Sequence, residues 1–404
     1  MLNWGTVIPL IGGMTIGNKK AVGSDPNFLI SYPAFADNDA HAKAYFKETP
    51  FILLDDEKND WSNEQDANYI KGLGDVDFVS TVCPCAGLSS LNPNSNADAV
   101  QNDWMYKTAD FVLEKLKPKV FWGENAPTLF TNKGVKVKNN LVEIGKKWGY
   151  TFSIAKTNSI KHGIPQKRER TFYFFWRDTN PPIFNEISKG HKPILEYLKE
   201  IPADASMQDI FSNNDYSTNG FIQWIKDNPS VIDEFRNSEK KYGRTMRTMF
   251  HYLKWENKFE DFKQYFKEKK LDKFYRLVEH AEKKVNDGKN IWDSTPKMQL
   301  YVQDYINAIQ GRIFHYTVHP NENRYLNIRE YMHLMGLPSD FELAHKKNLN
   351  HICQNVPVNT AADWTGQVID YLKGSKKLHT DIYFEFNNTT GTDDDSDSCS
   401  VKLF

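Results

Sequence analysis

The first 180 or so residues alternate short apolar runs with amphipathic stretches, and each run ends on a small or polar residue. "TVIPLI" ends at Gly12-Gly13, "FLISYPAFA" at Asp37, "VDFVSTV" at Cys83 and "KVFW" at Gly123-Glu124. Segments such as "DAHAKAYFKE" and "WMYKTADFVLEKLK" lie between them at helical spacing. Strands alternating with helices build βαβ units, and hence a largely parallel sheet with helices on its faces. Ligands of such sheets bind at the carboxyl ends of the strands. An open α/β sheet would therefore gather these polar residues along one edge.

A chain of 404 residues is long enough for more than one domain, or for one core carrying an insertion. "TNPP" breaks the pattern after Asp178. From Ile194 to about Lys289 the chain is rich in Lys, Glu, Phe and Tyr at helical spacing, which predicts a separate, mostly helical insert. Turn-helix signals return with "NIREYMHLMGLPSDF" and "VPVNTAADWTGQVIDYL". The expected divisions are 1–179, 180–316, 317–385 and an acidic, disordered tail at 386–404.

The formal net charge of −1 is no global signature of a nucleic-acid binder. Locally, Arg236 to Lys297 holds 17 Lys/Arg against 10 Asp/Glu. That patch suits phosphate contacts, and equally a solvated helical face. Four cysteines without a CxxC pair or a signal peptide argue against a disulfide framework, and predict a reducing, cytoplasmic compartment. No apolar run approaches the roughly 18 residues of a membrane span, so a soluble protein is expected.

Four stretches could carry chemistry. In "STVCPCAGLSSLNP" a strand feeds a Cys-Pro-Cys turn, which would put the Cys85 thiol at the mouth of the sheet. A nucleophilic cysteine needs an electropositive setting; the competing readings are a buried core cysteine or a zinc ligand, for which a lone CxC is poor. In "KVFWGENAP", Glu124 past a strand end could be a general acid whose pKa burial raises, or a surface turn. "LIGGMTIGNKKAVG" is a strand-Gly-Gly-helix unit, with Asp37 placed 24 residues beyond Gly13 to bind ribose hydroxyls of a nucleoside cofactor. In "HGIPQKRER", residues Gln166, Arg168 and Arg170 share one face if the chain is extended.

Taken in order, the Gly-Gly turn, acidic strand end, Pro84-Cys85, Glu124-Asn125, Gln-x-Arg-x-Arg, "RYLNIREYMHLMGLPSDF" and "QNVPVNTAA" resemble the cytosine-C5 DNA methyltransferases. The resemblance runs from about Val7 to Trp176 and again from about His319 to Ala362, leaving the helical insert outside it. It implies a Rossmann-like class I methyltransferase domain with a helical target-recognition insert. It also implies S-adenosylmethionine as cofactor and double-stranded DNA as partner, with a cytosine flipped out of the duplex.

By carry-over Cys85 would add to C6, Glu124 would hold or protonate N3, Asn125 would position Glu124, and Arg168 and Arg170 would contact the base and the Cys85 loop. Gly12, Gly13, Asp37, Asp55 and Asn355 would line the cofactor site. Gln166, Arg244 and Arg247 would face DNA. The family precedent and near-neutral charge lead to a monomer, paired with a cognate restriction endonuclease or acting alone. An RNA cytosine methyltransferase and a non-catalytic DNA-binding protein on the same fold are the alternatives. The chain departs from the family at Ile8, Leu10, Ala86, Asn327 and Gln354, chiefly in the donor site.

Overall fold

A computed structural model of the chain describes residues 2–89, 92, 94–202, 220–230, 234, 253–254, 256–289, 304–309, 317, 319, 326–345, 349–380 and 401–403. It divides into two compact units, Met1–His191 together with His333–Phe404, and Lys192–Met332.

The larger unit is built on strands β1 (Trp4–Val7), β2 (Phe28–Ser31), β3 (Phe51–Asp55), β4 (Asp60–Trp61), β5 (Phe78–Thr81), β6 (Val120–Asn125), β7 (Tyr150–Asn158), β9 (Glu169–Arg177) and β11 (Val401–Leu403). Two-residue strands β8 (Gln166–Lys167) and β10 (Ile306–Asn307) lie outside this sheet. The nine strands run in the order β11-β7-β9-β6-β5-β1-β2-β3-β4. Pairings from β3 through β2, β1 and β5 to β6 are parallel, whereas β9 joins β6 and β7 antiparallel. The chain leaves β1 toward β2 on one side and β5 lies on the other, so the topological switch point falls at the β1 carboxyl end.

Helices α1 (Gly13–Val22), α2 (Ala36–Tyr45), α3 (Glu64–Gly72), α4 (Asp103–Phe111) and α5 (Val135–Lys147) connect the strands. In β9 the run Thr171–Trp176 is buried throughout, because both faces are covered. Phe174 stacks on Trp122 of β6, and on its other contacts meets Trp364. That aromatic core fixes β6, whose last two residues are Glu124 and Asn125.

The smaller unit contains α6 (Ile194–Leu198), α7 (Gly220–Asp227), α8 (Phe259–Glu268) and α9 (Asp272–Asn286). Phenylalanines read at helical spacing do meet, Phe221 against Phe266, and Trp224 packs on Phe262 beside them. Helices α10 (Ile328–Leu334), α11 (Asn350–Gln354) and α12 (Val358–Leu372) complete the chain.

One local expectation is corrected. "FLISYPAFA" is not one strand: β2 stops at Ser31, Pro33–Phe35 form a 3-10 turn, and α2 begins at Ala36. Proline lacks the N–H a strand ladder needs, yet suits the first turn of a helix. Asp37 consequently lies in the first turn of α2 rather than at a strand end. Among residues 386–404, Val401–Leu403 are described, and these pair antiparallel with β7 as an edge strand.

Candidate active site

The carboxyl ends of β5 and β6 bring three sequence-selected side chains together. Cys85 follows β5 on the loop beginning Val82-Cys83-Pro84 and is half-buried. Glu124 on β6 is only 3% exposed, and its Oε1 lies 2.5 Å from Arg170 Nε. Burial pushes the Glu124 carboxyl up, and Arg170 and then Arg168 oppose that. Cys85 is also pushed up by burial, with Arg170 and Arg168 pulling it down and Glu124 adding to the rise. The two arginines therefore temper the cost that burial places on ionising the thiol. Asn125 is fully buried; its Oδ1 accepts the Ala126 N–H at 2.8 Å and its Nδ2 lies 3.1 Å from Met105 Sδ, which shapes the turn after Glu124.

The expected three-residue fork does not form. The chain bends between β8 and β9, where the Arg168 N–H donates to the Gln166 carbonyl at 3.0 Å. Gln166 is fully buried and donates through Nε2 to the Leu334 carbonyl at 3.0 Å, so it ties two distant segments of the chain together. Arg168 is 2% exposed and its Nη2 donates to the carbonyls of Cys353 and Asn355, at 2.7 and 3.1 Å. Burial lowers its pKa to about 9. Arg170 pairs with Glu124, and Arg168 acts on the site through its charge and through the segment it anchors.

The β1–α1 turn forms a second cluster. Gly12 has φ 101°, a left-handed conformation that glycine adopts without a Cβ clash. A Cβ on Gly13 would fall 2.0 Å from Asn355 Oδ1, which accepts the Gly13 N–H at 2.8 Å. Asp55 closes the turn after β3, accepting the N–H groups of Glu57 and Lys58 and pairing with Lys58. Asp37 pairs with His345, Oδ1 to Nε2 at 3.3 Å. Arg244 and Arg247 lie outside the described residues.

Sequence reasoning missed two groups beside this turn. Asp39 is fully buried and its Oδ1 accepts the Leu10 N–H at 2.6 Å. Its signal was thin: an acid three residues before Ala42, the residue packed on Gly12. Three histidines also meet here. His41 Nδ1 accepts the Ala344 N–H, His41 Nε2 faces His351 Nδ1 at 3.1 Å, and the His345 ring lies tilted against His41 with ring centroids 4.5 Å apart. Burial, with help from His345 and His351, lowers His41 to about 4. No spacing announced that cluster, since His41 lies some 300 residues from the other two.

Comparison with known proteins adds to this geometry. The family model described as C-5 cytosine-specific DNA methylase matches residues 9–369. The chain is 27% identical over 127 residues to the type II methyltransferase M.NgoBI of Neisseria gonorrhoeae, covering 31% of this chain and 40% of that protein. It is 28% identical over 151 residues to M.BspRI of Lysinibacillus sphaericus, covering 36% and 35%. The chain thus spans well under half the length of these curated relatives. A DNA modification methyltransferase encoded within an Escherichia coli prophage shares the fold, with a TM-score of 0.57 at 15% identity over 93% of this chain and 100% of that one.

Proposed function

Because the chain belongs to the family of C-5 cytosine-specific DNA methylases, we propose that it methylates C5 of a flipped-out cytosine in double-stranded DNA, with Cys85 as nucleophile. The observation that carries this reading is the meeting of Cys85, Glu124 and Arg170 at adjacent strand ends. A thiol, a carboxyl group of raised pKa and a guanidinium are what addition to a pyrimidine ring requires.

The family's methyl donor is S-adenosylmethionine, and the residues at the β1–α1 turn fit it. Asn355 Nδ2 is buried with no hydrogen-bond partner among the described residues, beside a turn whose two glycines carry no side chain. A buried donor left over in this way suits a ligand that brings an acceptor. Gly12, Gly13 and Asn355 would hold the donor, with Asp37 and Asp55 at the neighbouring strand and helix ends. When bound, it supplies an electrophilic methyl group.

The chain's own residues do the rest. Cys85 Sγ, as thiolate, forms a bond to C6 and pushes an electron pair into the ring. Glu124 meets the charge at N3 with a hydrogen bond or a proton, and so stabilises the addition. Arg170 holds Glu124 in place and offsets the cost of ionising Cys85. After methylation C5 gives its proton to water, the C–H electron pair re-forms the C5–C6 double bond as the C6–S bond breaks, and the thiolate is returned, with any proton on N3 going back to Glu124. The enzyme works as a modification methyltransferase, beside a restriction endonuclease or alone.

The test is incubation with tritiated S-adenosylmethionine and duplex DNA containing 5-fluorocytosine. Fluorine cannot leave C5 as a cation, so the adduct is trapped. Wild type is expected to give a denaturation-resistant protein–DNA adduct that needs the donor, and Cys85→Ser none. Label transfer without an adduct would refute the covalent route, and transfer only to RNA would refute the DNA substrate.

A further inference from the structure

The β1–α1 turn holds two side-chain-bearing residues in the left-handed region, Ile8 at φ 54° and Leu10 at φ 51°. L-residues enter that region at a cost, most of all bulky ones, and stay there only when their surroundings over-determine them. For Ile8 the sheet does this, since its N–H donates to the Ile30 carbonyl and its carbonyl accepts the Val82 N–H. For Leu10 the hydrogen bond comes from a side chain on another element, Asp39 Oδ1 of α2. Gly13, three residues on, is held likewise by Asn355.

We propose that Asp39 is the clasp of the donor-binding turn, a positioning residue that locks Leu10 in its left-handed conformation before the donor arrives. The proposal rests on the donor reading of this turn given above. Asp39 works as a neutral acid. Its Oδ2 contacts the Ser31 hydroxyl, which also lies 3.1 Å from the Tyr32 carbonyl. One hydroxyl proton cannot serve both acceptors. A protonated Asp39 resolves the conflict by donating to Ser31 Oγ, which frees the serine proton for Tyr32 and leaves Oδ1 to accept from Leu10. Burial agrees, pushing Asp39 up to about 8. The groups bonded to Asp39, the Ser31 hydroxyl of β2 and the Leu10 amide of the turn, do not titrate; on its own helix, His41 faces His351 and Asp37 pairs with His345.

The experiment is a double-mutant cycle on the full chain with Asp39→Ala, Leu10→Gly and both, plus Asp39→Asn. S-adenosylhomocysteine binding is measured by calorimetry and thermal unfolding is followed in parallel. Glycine reaches φ near 50° unaided, so the clasp should matter only when residue 10 is leucine. Asp39→Ala is expected to weaken S-adenosylhomocysteine binding roughly tenfold and lower the midpoint by about 4–8 °C alone, and by less than half of that when combined with Leu10→Gly. Asp39→Asn keeps the acceptor and should bind within about twofold of wild type. Its midpoint should also gain on wild type as pH rises from about 4 to about 8, because over that range the unfolded Asp39 carboxyl releases a proton that the folded one keeps. Equal losses in both backgrounds would make Asp39 a packing residue and overturn the proposal, as would parallel pH profiles. If no form binds S-adenosylhomocysteine, wild type included, the donor reading fails while the unfolding cycle still decides the clasp.

Discussion

Glu124 and Arg170 share a site where neither charge is well solvated, so each depends on the other. Removing one partner of a buried pair leaves an uncompensated charge and costs about 3–5 kcal/mol. Arg170→Ala should destabilise the protein by about that much in urea titrations, and Arg170→Ala with Glu124→Gln by clearly less. Arg170 also pulls down the Cys85 thiol that burial pushes up. The alkylation rate of Cys85 should therefore climb with pH beyond the usual thiol range, and Arg170→Ala in the Glu124→Gln background should move the curve further up. Parallel curves would refute the coupling. Cys85, Glu124 and Arg170 were legible in the sequence because each is a reactive residue type beside a strand end. Asp39 was not, since nothing local marks an aspartate that is buried by its own hydrogen bonds.

Between β8 and β9, one bent peptide decides which way Gln166 and Arg168 point. Alternation along a strand assumes that the strand is continuous, and here it stops for Arg168. The two side chains instead supply donors to Leu334, Cys353 and Asn355 carbonyls. Each buried acceptor left without its donor costs about 1–3 kcal/mol. Arg168→Leu should cost roughly 2–5 kcal/mol in urea unfolding, and should speed hydrogen exchange at the Gly13 amide as Asn355 loosens. Unchanged exchange there would refute the link. The end of β2 repeats the lesson in another form: "SYP" was apolar enough to extend the strand, and Pro33 ended it.

Across the larger unit, parallel strand order and the site at its carboxyl edge were readable from hydrophobic runs, because short apolar segments separated by helical ones have few ways to pack. Contacts that join distant segments were not, and the histidine cluster is the clearest case. His41 falls from the ordinary histidine range to about 4, so the folded state resists a proton that the unfolded chain accepts. Its contribution is full above the unfolded value and is lost as pH falls from about 6.5 toward 4, a change of about 3 kcal/mol. His41→Gln should flatten that acid limb in unfolding titrations, with His345, His351 and Asp37 as the titratable neighbours. An unchanged limb would assign it to other groups. Among the described residues no helix is long and apolar enough to cross a membrane.

The bond from Gly13 to Asn355 spans 342 residues of chain. A ribosome adding about 5–20 residues per second needs roughly 20–70 s to bring the second partner into being after the first. Throughout that interval the turn that would grip the donor has emerged without its far-end support. The turn is therefore a co-translational latecomer: its two halves are made far apart in time, and it is completed only once Asn355 has left the ribosome.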